Sequence, residues 1–221
     1  MSSDLFLISG SVAVVLYALL LHLLFRSHLK SYLILFLNLL VLLFTGIIDF
    51  AFYFGRESTG FSDDARLAFF TNDLLRQSMV YLLVISLIFS AVRGSERFRW
   101  LGRWLVLGAI LLAALFVWFH KDEKIALWMT NVIRNLSLVA MLMNLLLWVL
   151  LMKKRSADRT LLLVTTGLGL QMAGEAMGQS LRLMDKSTEG IGNVVLVLAH
   201  LCCLLVWFLA FKPRKQAQRA A

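Results

Sequence analysis

Apolar residues run through this chain in long unbroken stretches separated by short polar connections. Seven of the stretches reach the length a bilayer demands: a helix needs roughly 20 mostly apolar residues to cross a hydrocarbon core about 30 Å thick. They cover residues 5–25, 32–54, 72–92, 100–119, 125–152, 160–183 and 191–211. The stretches are Leu-rich and continuous, without the two-residue alternation of barrel strands, so helices are expected. The first is preceded by Met1-Ser2-Ser3-Asp4, which carries no positive charge, and no small-residue cleavage site follows it, so it reads as a span and not a signal peptide. The expected fold is all-α: a polytopic membrane protein with seven transmembrane helices, forming one domain over residues 1–221.

Composition sharpens this. Of 221 residues, 60% are hydrophobic and 16% charged, and the mean hydropathy is +0.82. A globular chain is about 45–50% apolar and about 25% charged. Disorder, a disulfide scaffold and an ordinary soluble enzyme are excluded. Too few residues lie outside the spans to form a separate catalytic or output domain.

Direction follows from the connections. One set of span ends carries Arg26, Lys30, Arg93, Arg97, Arg99, Arg103, Lys153, Lys154, Arg155, Arg159, Lys212, Arg214, Lys215 and Arg219, 14 of the 22 basic residues, against Glu96 and Asp158. That side has a net charge of +12; the other has 8 basic residues and 11 acids, net −3, and together they give the chain's +9. Basic loops face the cytoplasm, so the N-terminus is expected outside and the C-terminus inside. The positive charge is explained by topology, and no nucleic-acid partner is implied. The tryptophans agree: Trp100, Trp104, Trp148 and Trp207 fall near the inner interface, Trp118 and Trp128 near the outer one, where amphipathic rings are favoured.

Most connections are short. The longest outer segment, residues 55–71, is polar and acidic and reads as a solvated loop, with Ser62 or Asp63 able to cap a helix leading into the third span. The tail after Phe211 holds Pro213 and four basic residues and suits anionic headgroups. Cys202 and Cys203 lie inside the seventh span, where core packing is expected and no disulfide is available.

The polar residues inside the spans carry the chemistry, because ionisable groups in a bilayer are costly and turn toward the bundle interior. Asp49 lies near the outer end of span two, and Asp73, Arg76 and Gln77 open span three. Asn131, Arg134 and Asn135 share a face of span five; Gln171, Glu175, Gln179 and Arg182, spaced 4, 4 and 3, form one stripe on span six. At 1.5 Å per residue Glu175 lies about 9–12 Å below the outer edge, and Asp49 and Arg76 roughly 6–8 Å. Four helices thus place charges in the outer third of the membrane. The inner half offers mainly Asn38 and Asn144. Arg134 and Glu175, on sequential antiparallel spans, form the first expected ion pair. Gly174 and Gly178, one turn apart beside the stripe, permit close helix approach.

Several chemistries fail on these residues. A retinal Schiff base needs a lysine within a span, and Lys212 sits only at the end of the seventh. Metal or haem needs clustered ligands, whereas His22, His28 and His120 are peripheral and His200 alone is mid-span. Ser180 and His200 differ in depth by about 9 Å, beyond the reach of a nucleophile and its base. No cofactor, metal or catalytic residue is therefore expected, and the protein is expected not to be an enzyme. Transport stays open: spans one to three and five to seven run in the same orientations, separated by span four, the three-plus-one-plus-three plan of parallel-repeat carriers. An offset of 126 superposes Asp49 on Glu175 and Arg56 on Arg182. Against it, no span contains proline.

The stretch from Asn131 through Arg182, with Val-Ile-Arg-Asn-Leu-Ser and Gly-Leu-Gly-Leu-Gln-Met-Ala-Gly-Glu-Ala-Met-Gly-Gln-Ser-Leu-Arg, resembles seven-helix integral membrane proteins of bacteria for which no activity is established. The resemblance implies a bacterial inner membrane and supplies no ligand residue. Three roles fit: a polar site recognising a small ligand or partner helix, a small-solute carrier, or interhelical glue in a structural subunit. The expected partners are the lipid bilayer, a small polar ligand on the outer side, and a membrane protein or second copy of the chain.

Overall fold

A computed structural model describes residues 3–59, 63–92, 100, 103, 104, 107, 108, 110, 111, 114, 125–153, 158–184 and 188–212. Among them the secondary structure is helical, and strands are absent. Six helices stand out: α1 (Ser3–Ser27), α2 (Leu33–Thr59), α3 (Asp63–Val92), α4 (Ile125–Lys153), α5 (Arg159–Met184) and α6 (Glu189–Phe211). Five of them, all but α5, contain segments long and apolar enough to cross a membrane: Ile8–Arg26, Leu33–Ala51, Thr71–Ala91, Asn131–Met152 and Gly190–Phe211.

Helices α2 and α3 outrun their apolar stretches. The polar segment read as a loop over residues 55–71 is helical to Thr59 and again from Asp63. Nothing between Gly55 and Thr59 breaks a helix that is already formed; the next glycine in the sequence is Gly60. At the other extreme α6 stops where Lys212 turns to φ −57°, ψ 124°. The ring of Pro213 forces its predecessor out of the helical region in this way.

Each helix packs on the next in chain order, and α6 closes back onto α1. The described helices therefore form a ring. Their directions follow from paired residues. Phe25 meets Phe36 at the end of α1, and Gly10 faces Phe50 at its start, so α1 and α2 are antiparallel. Thr45 with Arg76 and Asp49 with Asn72 make α2 and α3 antiparallel. Ser137 with Glu175 and Asn144 with Thr165 do so for α4 and α5; Val164 with Trp207 and Arg182 with Asn193 do so for α5 and α6. Tyr17 meets His200 and His28 meets Phe211, so α1 and α6 are parallel. It follows that α3 and α4 also run parallel.

The described residues between Trp100 and Ala114 are helical and all exposed, Trp100 at 66% and Leu111 at 65%. None of them enters the core. That core fills the half of the ring where α1, α3, α4 and α6 end, with Leu20, Leu24, Leu39, Ile88, Leu147, Leu151, Leu168 and Leu204 almost wholly buried. Trp207 belongs to it at 0% exposure, its indole N–H donating to the Val164 carbonyl at 2.9 Å. This tryptophan, expected near the inner interface, has its ring buried in the contact between α5 and α6 against Gly167, where an added Cβ would lie 2.8 Å from the ring.

Candidate functional site

The other half of the ring is polar inside. Its first component joins α2 and α3. One turn of α3 presents Asn72, Asp73 and Arg76 toward the last turns of the apolar part of α2. Arg76 pairs with Asp49, lies 3.6 Å from Asp73, and donates through Nε to Thr45 Oγ1 at 2.6 Å. Asn72 donates to the second carboxylate oxygen of Asp49 at 3.0 Å. The Thr45 hydroxyl in turn donates a hydrogen bond to the Val41 carbonyl at 2.7 Å. A cation between two carboxylates, one of them also held by an amide donor, is the arrangement that makes a partly desolvated ion cluster tolerable.

The second component centres on Glu175 and draws on α3, α4, α5 and α6. Gln171, one turn away on the same helix, donates to Glu175 Oε1 at 3.2 Å. Ser137 Oγ of α4 stands 3.3 Å from Oε2 and 2.9 Å from the Ile133 carbonyl. One end of the Gln77 amide, from α3, stands 2.6 Å from the same Oε2 while its other end faces Ser137 Oγ at 2.9 Å. Behind Gln171, the Cys203 thiol of α6 donates to its carbonyl oxygen at 3.4 Å. Gln77, Ser137 and Gln171 are buried.

Small residues let α6 approach this close. A Cβ at Gly174 would lie 2.0 Å from that of Ala199, and one at Gly178 would lie 2.4 Å from Leu196 Cγ and 2.9 Å from the Gly192 carbonyl. Close backbone approach of this kind is the usual work of paired small residues in membrane bundles. The Gly174–Gly178 pair therefore packs α5 on α6, and Glu175, one residue along, is turned toward α3 and α4.

Two contacts complete the layer. Tyr17 and His200 are hydrogen bonded where α1 meets α6, their rings 5.7 Å apart. Arg182 donates to Asn193 Oδ1 at 2.7 Å. Arg76 is the common electrostatic neighbour: its charge acts on Asp73, Glu175, Tyr17 and His200. Among the described residues no group of three His, Cys, Asp or Glu side chains could hold a metal ion.

All eleven polar residues singled out in the sequence lie among the described residues. Asp49, Asp73 and Arg76 come together as one cluster; Gln77, Gln171 and Glu175 as another. Asn135 and Gln179 are buried, at 8% and 7% exposure; Asn131 and Arg134 are half-buried on α4, and Arg182 is held by Asn193. The expected ion pair between Arg134 and Glu175 does not form. Ser137, nearly one turn beyond Arg134, stands level with the carboxyl group, and Gln77 enters from α3 to take the remaining position. The partners that the sequence did not reveal are Thr45, Asn72, Ser137, Tyr17 and Cys203. Ser137 follows Arg134 by three residues, a helical spacing that was available as a signal; Tyr17 had none. Cys202, read with Cys203 as core packing, is exposed.

In the apolar half Asn144 donates to the Thr165 carbonyl at 2.9 Å, while both amide atoms of the fully buried Asn38 lack a partner among the described residues. No protein-family model, curated protein or solved structure matches the chain. The functional reading therefore rests on the geometry of the site.

Proposed function

We propose that this chain is a seven-helix protein of a bacterial inner membrane, N-terminus outside and C-terminus cytoplasmic, and that its interior polar layer binds a small polar ligand without catalysing a reaction on it. Support for seven crossings comes from helix direction. With α3 and α4 parallel, the chain has to return across the bilayer between Val92 and Ile125, and residues 100–119 supply the apolar stretch of the needed length. The basic connections supply the orientation.

The observation that carries the binding role is the way Glu175 is held. Internal glue would set it against a cation, as Asp49 is set against Arg76. Instead it is surrounded by amide and hydroxyl groups that can be exchanged for those of a ligand. Intramembrane ionisable groups facing a bundle interior mark ligand or ion pathways by default. The test is thermal stability of the purified protein against a panel of small carboxylates, amines, sugars and amino acids. A saturable rise in the melting temperature, lost in Glu175→Gln and in Gln171→Leu, supports a binding site. No response in the wild type, together with unfolding of the single variants, leaves structural glue as the role.

One observation favours a carrier as the second reading. The ring consists of two three-helix halves, α1–α3 and α4–α6, and the described residues between them lie on its periphery, as the linking helix of a three-plus-one-plus-three carrier would. Solute flux into proteoliposomes, abolished by Glu175→Gln, separates the carrier from a receptor.

A further inference from the structure

Below the polar layer the interior holds hydrogen-bonding groups that the fold leaves unused. Both amide atoms of Asn38 lack a partner among the described residues, as do Oδ1 of Asn144 and the hydroxyl of Tyr81. All three residues are buried, Asn38 at 0% exposure, so neither lipid nor a second copy of the chain reaches these atoms.

Helix register ties these groups to the layer. Thr45 meets Arg76, and Ser137 meets Gln77, the next residue of α3, so Thr45 of α2 and Ser137 of α4 lie at one depth. Asn38 and Asn144 each stand seven residues further into the apolar half. That is two turns, about 10 Å along the axis, on the same faces as Thr45 and Ser137. Tyr81 follows Gln77 by four residues on α3, which packs against both α2 and α4. A polar face therefore runs inward from Asp49 through Thr45 to Asn38 on α2, and from Ser137 to Asn144 on α4. Asn144 donates through Nδ2 to the Thr165 carbonyl beside Gly169, where an added Cβ would lie 2.8 Å from that nitrogen.

We propose that the chain conducts a small uncharged solute bearing hydroxyl or amide groups between the outer polar layer and the cytoplasmic side, and that Asn38 and Asn144 form the inner binding site on its path. The inference rests on the carrier reading and names its solute class and its route. An unpaired amide inside a bilayer is costly, and Asn38 holds no neighbour in place in return. Its hydrogen bonds belong to a second arrangement, in which the apolar half parts and a solute meets the amide. Leu42, Val84 and Leu147, in the same stretch of the core and at most 4% exposed, seal the site until then. The unused groups at this depth are amides and a phenol. His22, which α1 brings to the same depth, is exposed, so no buried ionised partner awaits a charged solute there, and such a solute would lose its hydration uncompensated.

Osmotic swelling of proteoliposomes containing the full chain tests this. The vesicles are placed in iso-osmotic erythritol, xylitol, glucose or urea, with sodium gluconate and choline chloride as charged controls, and solute entry is followed by light scattering. The expected result is entry of at least one uncharged solute faster than into empty liposomes, without entry of the charged ones. Asn38→Leu should slow that entry at least about tenfold, the scale of one lost hydrogen bond. Its melting temperature should equal or exceed that of the wild type, because an unpartnered amide has been replaced by an apolar side chain. Asn144→Leu should also slow entry, but with a lower melting temperature, since it loses the bond to Thr165. A wild-type chain that admits no uncharged solute, or admits charged ones equally, overturns the proposal. So does an unchanged rate in Asn38→Leu, or a fall in its melting temperature, which would reveal a partner for Asn38 within the fold. Entry lost in Glu175→Gln but unchanged in Asn38→Leu defeats the inner site and keeps the carrier. Absence of all entry beside a ligand-dependent melting temperature defeats the carrier and keeps the binding site.

Discussion

Two polar clusters share one layer of the ring and are satisfied in opposite ways. Between α2 and α3 the charges answer one another: Arg76 engages Asp49 and Asp73, with Thr45 and Asn72 as additional partners. Around α5 a single carboxyl is answered by two amides and a hydroxyl. The first arrangement resists change, since removal of any member strands another. The second tolerates change, because neutral groups can exchange partners. A layer close to overall charge balance therefore contains one locked and one adaptable region. The adaptable region is the one that suits a ligand.

The largest effect that bears on this contrast comes from the helix pair that positions the adaptable region. Gly174→Val would drive a side chain into Ala199, which already lies 2.0 Å from an added Cβ; the expected loss is at least about 3 kcal/mol, read by denaturant titration in mixed micelles. Next comes Arg76→Gln, which leaves the half-buried Asp49 and Asp73 without a cation, at an expected cost of about 2–3 kcal/mol. Combining it with Asp49→Asn should recover part of that loss, and full additivity of the two single changes would show that the cluster is not a unit. Glu175→Gln should cost no more than about 1 kcal/mol, the scale of one exchanged hydrogen bond. A cost equal to that of Arg76→Gln would erase the distinction between the regions. Smallest is Arg134→Gln, expected within about 0.5 kcal/mol, since Arg134 makes no ion pair with Glu175; coupling between the two in a double-mutant cycle would reinstate the pairing that helix order suggests.

The long apolar runs made the helices legible, and 3.6-residue spacing made the inward stripe of Gln171, Glu175 and Gln179 legible too. Partner choice was not. Arg134 and Glu175 have opposite charge and suitable depth, yet depth along an axis says nothing about rotation around it. Ser137, less than one turn away, points where Arg134 does not. The ends of α2 and α3 were hidden for a related reason: hydropathy marks where apolar residues stop, whereas a helix continues until its backbone meets a breaker. Trp207 shows the converse. Its place near a span end suggested the interface, but Gly167 opens a slot for its ring inside the bundle.

The polarity of α5 has a consequence for biogenesis. A segment carrying Gln171, Glu175, Gln179 and Arg182 would partition poorly from the translocon into lipid by itself, because each charged residue near a helix centre opposes insertion by about 2.5–3.5 kcal/mol. Its glycine face matches α6, the most closely packed of its neighbours, and α6 is strongly apolar. The two would therefore leave the translocon as a hairpin, and a nascent chain truncated before α6 would be a substrate for membrane quality-control proteases.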